Sequence, residues 1–186
     1  MANLKELMAQ VAGYEDQIVD IMSQIVALPA LGPTNGGQGE LAKAQHIQAL
    51  LRGWGLSIER IDSPDDRVES GIRPNLVATY PGGDGPKVWV LSHLDVEPSG
   101  PAEGWEGDPW QMRRDGDQLF GRGVNDNNGG FMASLFGLKA LMDLGIEPQG
   151  QVGLIMVADE ETGSAHGLDY LLQQKPDLIS PQDLVI

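Results

Sequence analysis

Two short runs leave no side for water: Val88-Trp89-Val90-Leu91 and Val152 to Val157. A strand that is apolar along its whole length must be covered on both faces, as in the middle of a sheet packed between helices. Between the runs, Phe131, Leu135, Leu138 and Met142 recur at helical spacing over residues 129–144, and Gly145 closes that segment. Strand, helix and strand in this order predict an α/β domain with a largely parallel central sheet.

The remaining elements fit around this unit. Leu4, Leu7, Met8, Val11, Tyr14, Ile18, Ile21, Met22 and Ile25 share one helical face, so residues 4–28 read as one amphipathic helix stopped by Pro29. A Gly-, Pro- and Asn-rich loop over 32–39 leads into a second helix over 40–52, closed by Gly53 and Gly55. Residues 56–61 and 75–80 read as strands, with the turn Pro81-Gly82-Gly83-Asp84-Gly85 after the second. A long loop spans 96–110, and a hairpin over 111–120 turns at Asp115-Gly116. Residues 167–174 are helical, and a further strand starts near Asp183. Because Leu184-Val185-Ile186 is an apolar run with no polar tail, the chain is expected to be truncated at its C-terminus.

The formal charge is -15, which excludes an obvious nucleic-acid partner, since phosphate binding needs a basic face. An anionic membrane surface is disfavoured for the same reason. There is no cysteine, hence no disulfide framework and no thiolate metal site. Met1 to Lys5 lacks the pattern of a signal peptide, and no apolar stretch reaches the ~20 residues of a membrane span. A cytoplasmic protein is expected.

Five residues carry the chemistry. His93 and Asp95 directly follow the first apolar run, and in open α/β sheets ligands bind beyond the carboxyl ends of the strands. Residues two apart on an extended segment point the same way, so Asp95 is placed to accept from the His93 ring and fix its tautomer. Asp126 sits in a Gly-rich loop before the 129–144 helix. Glu160 and Glu161 follow the second apolar run, where adjacent carboxylates need a cation or a proton to offset their repulsion. Each feature alone also fits a bland reading: a polar loop, a helix N-cap, a solvated acidic turn. Their joint occurrence, each next to a strand or a Gly-rich turn, favours a metal site. His46 reads as structural or surface, His166 as a weaker site candidate, and Trp105 and Trp110 as loop-packing residues.

These residues resemble the co-catalytic zinc metallopeptidase family of aminoacylases, acetylornithine deacetylase, succinyl-diaminopimelate desuccinylase and glutamate carboxypeptidase. The family's strand-His-x-Asp-x-x-Pro motif matches Trp89 to Pro98, and its Trp-x-x-x-Pro-(Phe/Trp) segment matches Trp105 to Trp110. Its Gly-Arg-Gly-x-x-Asp motif matches Gly121 to Asp126, and its Glu-Glu pair matches Glu160-Glu161. The resemblance implies a three-layer α/β/α zinc-exopeptidase-like domain. It implies two divalent ions, zinc first with cobalt or manganese as alternatives, held by His93, Asp126 and Glu161 with Asp126 as the bridge. Asp95 would orient His93, and Glu160 would be the general base toward a bridging water. The substrate would be an N-acyl amino acid or small peptide. One departure is Asn128, where family members often carry Lys. Residues 1–186 match only the N-terminal part of the family's catalytic domain. An inserted dimerisation domain, through which the full-length protein would form a homodimer, and further ligands would lie elsewhere. A metal-binding fragment that is inactive alone is the alternative reading.

Overall fold

The computed structural model describes residues 4–186. Among the described residues there are five α-helices: α1 (Leu4–Ala12), α2 (Glu15–Val26), α3 (Leu41–Gly53), α4 (Asn128–Asp143) and α5 (Leu168–Gln174). Strands β1 (Ser57–Pro64), β2 (Ile72–Tyr80), β3 (Gly85–His93), β6 (Gly150–Val157) and β7 (Leu184–Val185) form one sheet in the order β1-β2-β6-β3-β7. β4 (Arg113–Asp115) and β5 (Gln118–Phe120) form a separate hairpin. The sheet is mixed. β3 runs parallel to both β6 and β7, whereas β2 is antiparallel to β1 and to β6. The parallel character read from the two apolar runs is thus confined to the β6-β3-β7 half.

The period-two alternation of β2 and β6 builds the layers. Leu76, Ala78, Leu154 and Met156 point to one face and pack with Ile21 and Ile25 of α2, Ile47 and Leu51 of α3, and Leu135 and Phe136 of α4. Val77, Ile155 and Val157 point to the other, where they meet Leu171 of α5. Helices cover both faces, as a fully apolar central strand demands. No helix among the described residues is long and apolar enough to cross a membrane.

The single helix expected over 4–28 is two helices, broken at Gly13 and Tyr14. Glycine in a helix interior costs about 0.5–1 kcal/mol, so a break is cheapest there. The turn seats the Tyr14 ring against Phe136, 5.4 Å between centroids, and its hydroxyl donates to Asp143 Oδ2 at 2.5 Å. These tertiary contacts hold the bend, and periodicity alone does not reveal them.

Trp89 in β3 lies opposite Gly153 in β6 and is fully buried. A Cβ on Gly153 would lie 2.1 Å from the indole ring. The strand therefore needs glycine here to make room for a large ring from its neighbour. Gly153→Ala is expected to destabilise the fold by about 1–3 kcal/mol, the usual cost of overpacking a close-packed core. Urea unfolding measures this, and a variant as stable as the parent would mean that the ring has another place to go.

Candidate metal centre

β3 and β6 end together: His93, the last residue of β3, lies opposite Val157, the last of β6. The two segments that follow leave the sheet at adjacent carboxyl ends. The backbone holds them in step, because the Leu94 N–H donates to the Val157 carbonyl at 2.7 Å. α4 connects the two strands, and its N-terminus follows directly on Asp126. Thus three segments distant in sequence meet at one edge, as the switch-point geometry of α/β sheets predicts.

His93, Asp126 and Glu161 each offer a ligand atom, and these atoms all lie within 4.8 Å of one another. His93 Nε2 lies 3.1 Å from Asp126 Oδ1 and 3.8 Å from Glu160 Oε2. The His93 side chain is 7% exposed, those of Asp126 and Glu160 70% and 52%. An imidazole at the floor and carboxylates at an open lip suit a divalent ion that must also meet a substrate. On the floor side, His93 Nδ1 donates to the backbone carbonyl of Asp95 at 3.0 Å, with Asp95 Oδ1 at 3.6 Å. A carbonyl only accepts, so Nδ1 keeps its hydrogen and Nε2 is the nitrogen turned to the cluster.

Asp95 does more than orient His93. Its carboxylate, 2% exposed, accepts the Glu160 N–H at 3.1 Å and the Glu161 N–H at 3.0 Å. One buried acid therefore faces the histidine and the Glu-Glu turn together. The turn itself starts from Asp159, which has φ +62°, a left-handed conformation that Asp tolerates better than most residues. Asp159 is held there by Arg73 Nη1 at 2.7 Å, by the His166 N–H at 3.0 Å and by the Thr162 hydroxyl. Arg73, fully buried in β2, also makes a two-pronged pair with Glu40. Burial opposes its charge, but Glu40 and Asp159 outweigh that and keep the guanidinium firmly protonated. Asn75, also buried in β2, accepts the Ala158 N–H and donates to the His166 carbonyl.

Of the predicted positions, His93, Asp95, Asp126, Glu160 and Glu161 come together. His166 does not join the ligand cluster, and sits beside Ser63 and Asp65 instead. Trp105 packs in its loop, its indole N–H donating to the Ser99 carbonyl at 2.8 Å. Arg73, Glu40, Asn75, Asp159 and Lys43 escaped the sequence reading. A signal for two of them was present: Lys43 falls in helical register with buried Ile47 and Leu51, and Arg73 adjoins an apolar strand. A charged residue on an apolar face is uncommon unless it is paired. Asn128 is buried at the start of α4, where its Oδ1 accepts from Lys43 Nζ at 3.2 Å.

A mixed α/β domain with His, Asp and Glu converging beyond paired parallel strands is the arrangement of a metallohydrolase. The chain belongs to peptidase family M20/M25/M40, whose model matches residues 89–184. It is 34% identical over 92% of its length to an uncharacterized metallohydrolase of Methanococcus maripaludis, of which it covers 43%. It is 29% identical over 87% of its length to a succinyl-diaminopimelate desuccinylase of Erythrobacter litoralis, of which it covers 42%. Human carnosine dipeptidase 1 shares the fold, with a TM-score of 0.83 at 22% identity over 98% of this chain and 40% of that one. The chain thus spans less than half the length of these relatives.

Two outcomes follow from the electrostatics. Burial disfavours charge on His93, but Asp95 and Asp126 outweigh it and raise the ring to about 9. At neutral pH a metal must then displace a proton. Between pH 6 and 8 the apparent metal affinity is expected to rise about tenfold per pH unit, with about one proton released per His93 engaged. Calorimetry with Co²⁺ in buffers of different ionisation enthalpy measures both, and a flat profile would contradict the assignment. Arg73→Met leaves Glu40 and Asp159 buried without their counter-charge. It is expected to cost about 3–5 kcal/mol, read from chemical denaturation.

Proposed function

We propose that this chain carries the metal-binding floor of a hydrolase that cleaves the amide bond of an N-acyl amino acid or small peptide. The observation that carries this reading is the convergence of His93, Asp126 and Glu161 at the carboxyl ends of β3 and β6, with Glu160 at the lip. The desuccinylase among the relatives supports the amide-bond class.

The donor set fits hard or borderline ions bound through nitrogen and oxygen, zinc first and cobalt or manganese next. We assign His93 to one ion, Glu161 to a second, and Asp126 to the bridge between them. When bound, such a pair polarises the scissile carbonyl and makes an attacking water more acidic. Asp95 fixes the His93 tautomer and, through two backbone N–H groups, the orientation of the Glu-Glu turn. Glu160, adjacent to a ligand yet turned to the open side, is the general base that takes the proton of the attacking water. It then returns that proton to the leaving amine. Residues 1–186 would be one portion of a longer catalytic unit, the relatives being more than twice as long.

Glu160→Gln in the active protein is expected to lower turnover by at least about 10²–10⁴-fold, the usual share of general-base catalysis, and to leave metal content unchanged. Steady-state kinetics beside elemental analysis decides it, since loss of metal in step with activity would make Glu160 a ligand instead. With His93, Asp126 and Glu161 as the candidate ligands among the described residues, each of two ions would have two protein ligands, where catalytic zinc usually has three. The chain by itself is therefore expected to bind zinc weakly and to hydrolyse no dipeptide or acyl-amino-acid substrate. Tight binding of two ions with turnover would show that these three ligands suffice.

A further inference from the structure

Lys43 is one of the most deeply buried residues of the chain, with 2% of its surface exposed. It projects from α3, an element that contributes no ligand. Its Nζ donates to two acceptors, the backbone carbonyl of Leu94 at 2.7 Å and Asn128 Oδ1 at 3.2 Å. Both lie beside ligands. Leu94 is the residue between His93 and Asp95, and Asn128 opens α4 two positions after Asp126.

The Leu94 backbone is held on both sides: its N–H by the Val157 carbonyl, and its carbonyl, in the peptide shared with Asp95, by Lys43. The Asn128 N–H in turn donates to the Gly123 carbonyl at 3.1 Å, which closes the loop that carries Asp126. Asn128 keeps its amide although Nδ2 is buried without a hydrogen-bond partner. Such an orphan group costs free energy, which the Oδ1 contact to Lys43 offsets in part. A buried ammonium is costly too, and a methionine of similar length would pack more cheaply. Both costs fall where one side chain from a third element, Lys43 of α3, reaches the His93 segment and the Asp126 segment together.

We propose that Lys43 is a positioning residue for the metal centre: its ammonium ties the backbone between His93 and Asp95 to the first turn of α4 and so fixes the spacing of His93 and Asp126. This deepens the metal-site reading above and rests on it for its consequence. The tie itself does not depend on that reading, because it is a contact between protein groups.

Hydrogen exchange reads the tie without metal. In K43M the Leu94 and Asn128 amides are expected to exchange about tenfold faster than in the parent, as loss of a charge-assisted hydrogen bond implies, with the Leu154 amide of β6 unchanged. Co²⁺ titration reads the consequence, an affinity weaker by about 10–100-fold, the usual cost of losing a group that orients a ligand. Delivering the ammonium from α4 instead, in K43A/N128K, is expected to recover most of both. Parent-like exchange at Leu94 and Asn128 in K43M overturns the proposal, and so does a folded K43A/N128K variant that stays at the K43M level. Should K43M not fold, N128A removes one arm of the tie and is read by the same two amides with the same criteria. An H93A control separates the two readings. If the parent and H93A bind Co²⁺ equally, the metal assignment fails while the exchange data still decide the role of Lys43.

Discussion

The parallel pairing of β3 with β6 sets where everything else falls. Because His93 lies opposite Val157, the segments 94–97 and 158–161 start from the same height and are at once close enough to share hydrogen bonds. Slipping the register by one residue would turn His93 and Leu91 to the other face and part the histidine from the Glu-Glu turn. The observed register also places the Trp89 ring over Gly153, in space that a Cβ at that position would occupy.

Below the candidate ligands lies a layer of buried charge. Arg73 joins Glu40 to Asp159, Asp95 accepts from both residues of the Glu-Glu turn, and Lys43 reaches Leu94 and Asn128. In a site of low dielectric such groups are costly to bury and strong once paired. That combination favours the observed loop arrangement, since parting a pair leaves a buried charge without its partner. The exposed lip, with Asp126 and Glu160, is then carried on segments that are fixed from underneath. This is how a site can be open to solvent and still hold its geometry.

Much of the architecture was legible in the sequence. The two apolar runs became β3 and β6, the spacing of Phe131 and Leu135 became α4, and the five chemistry-bearing residues did meet. Local chemistry governs these features: full burial, helical periodicity, and ligand types beside strand ends. Other features depended on partners remote in sequence. The break at Gly13-Tyr14 answers to Phe136 and Asp143, more than a hundred residues away. The two antiparallel junctions of β2 are matters of sheet order, which alternation within a strand cannot state.

The sequence by itself determined which residues are able to bind a metal and the strand-helix-strand unit that carries them, because residue type and period are local properties. Only the tertiary structure decided how those residues are held. Asp95 serves two segments, Arg73 and Lys43 act from elements outside the candidate cluster, and Asp159 takes a left-handed turn stabilised from β2. The reason is physical: a buried charge is tolerated only where opposite charges and dipoles converge on it in space, and that convergence is a property of the packed chain.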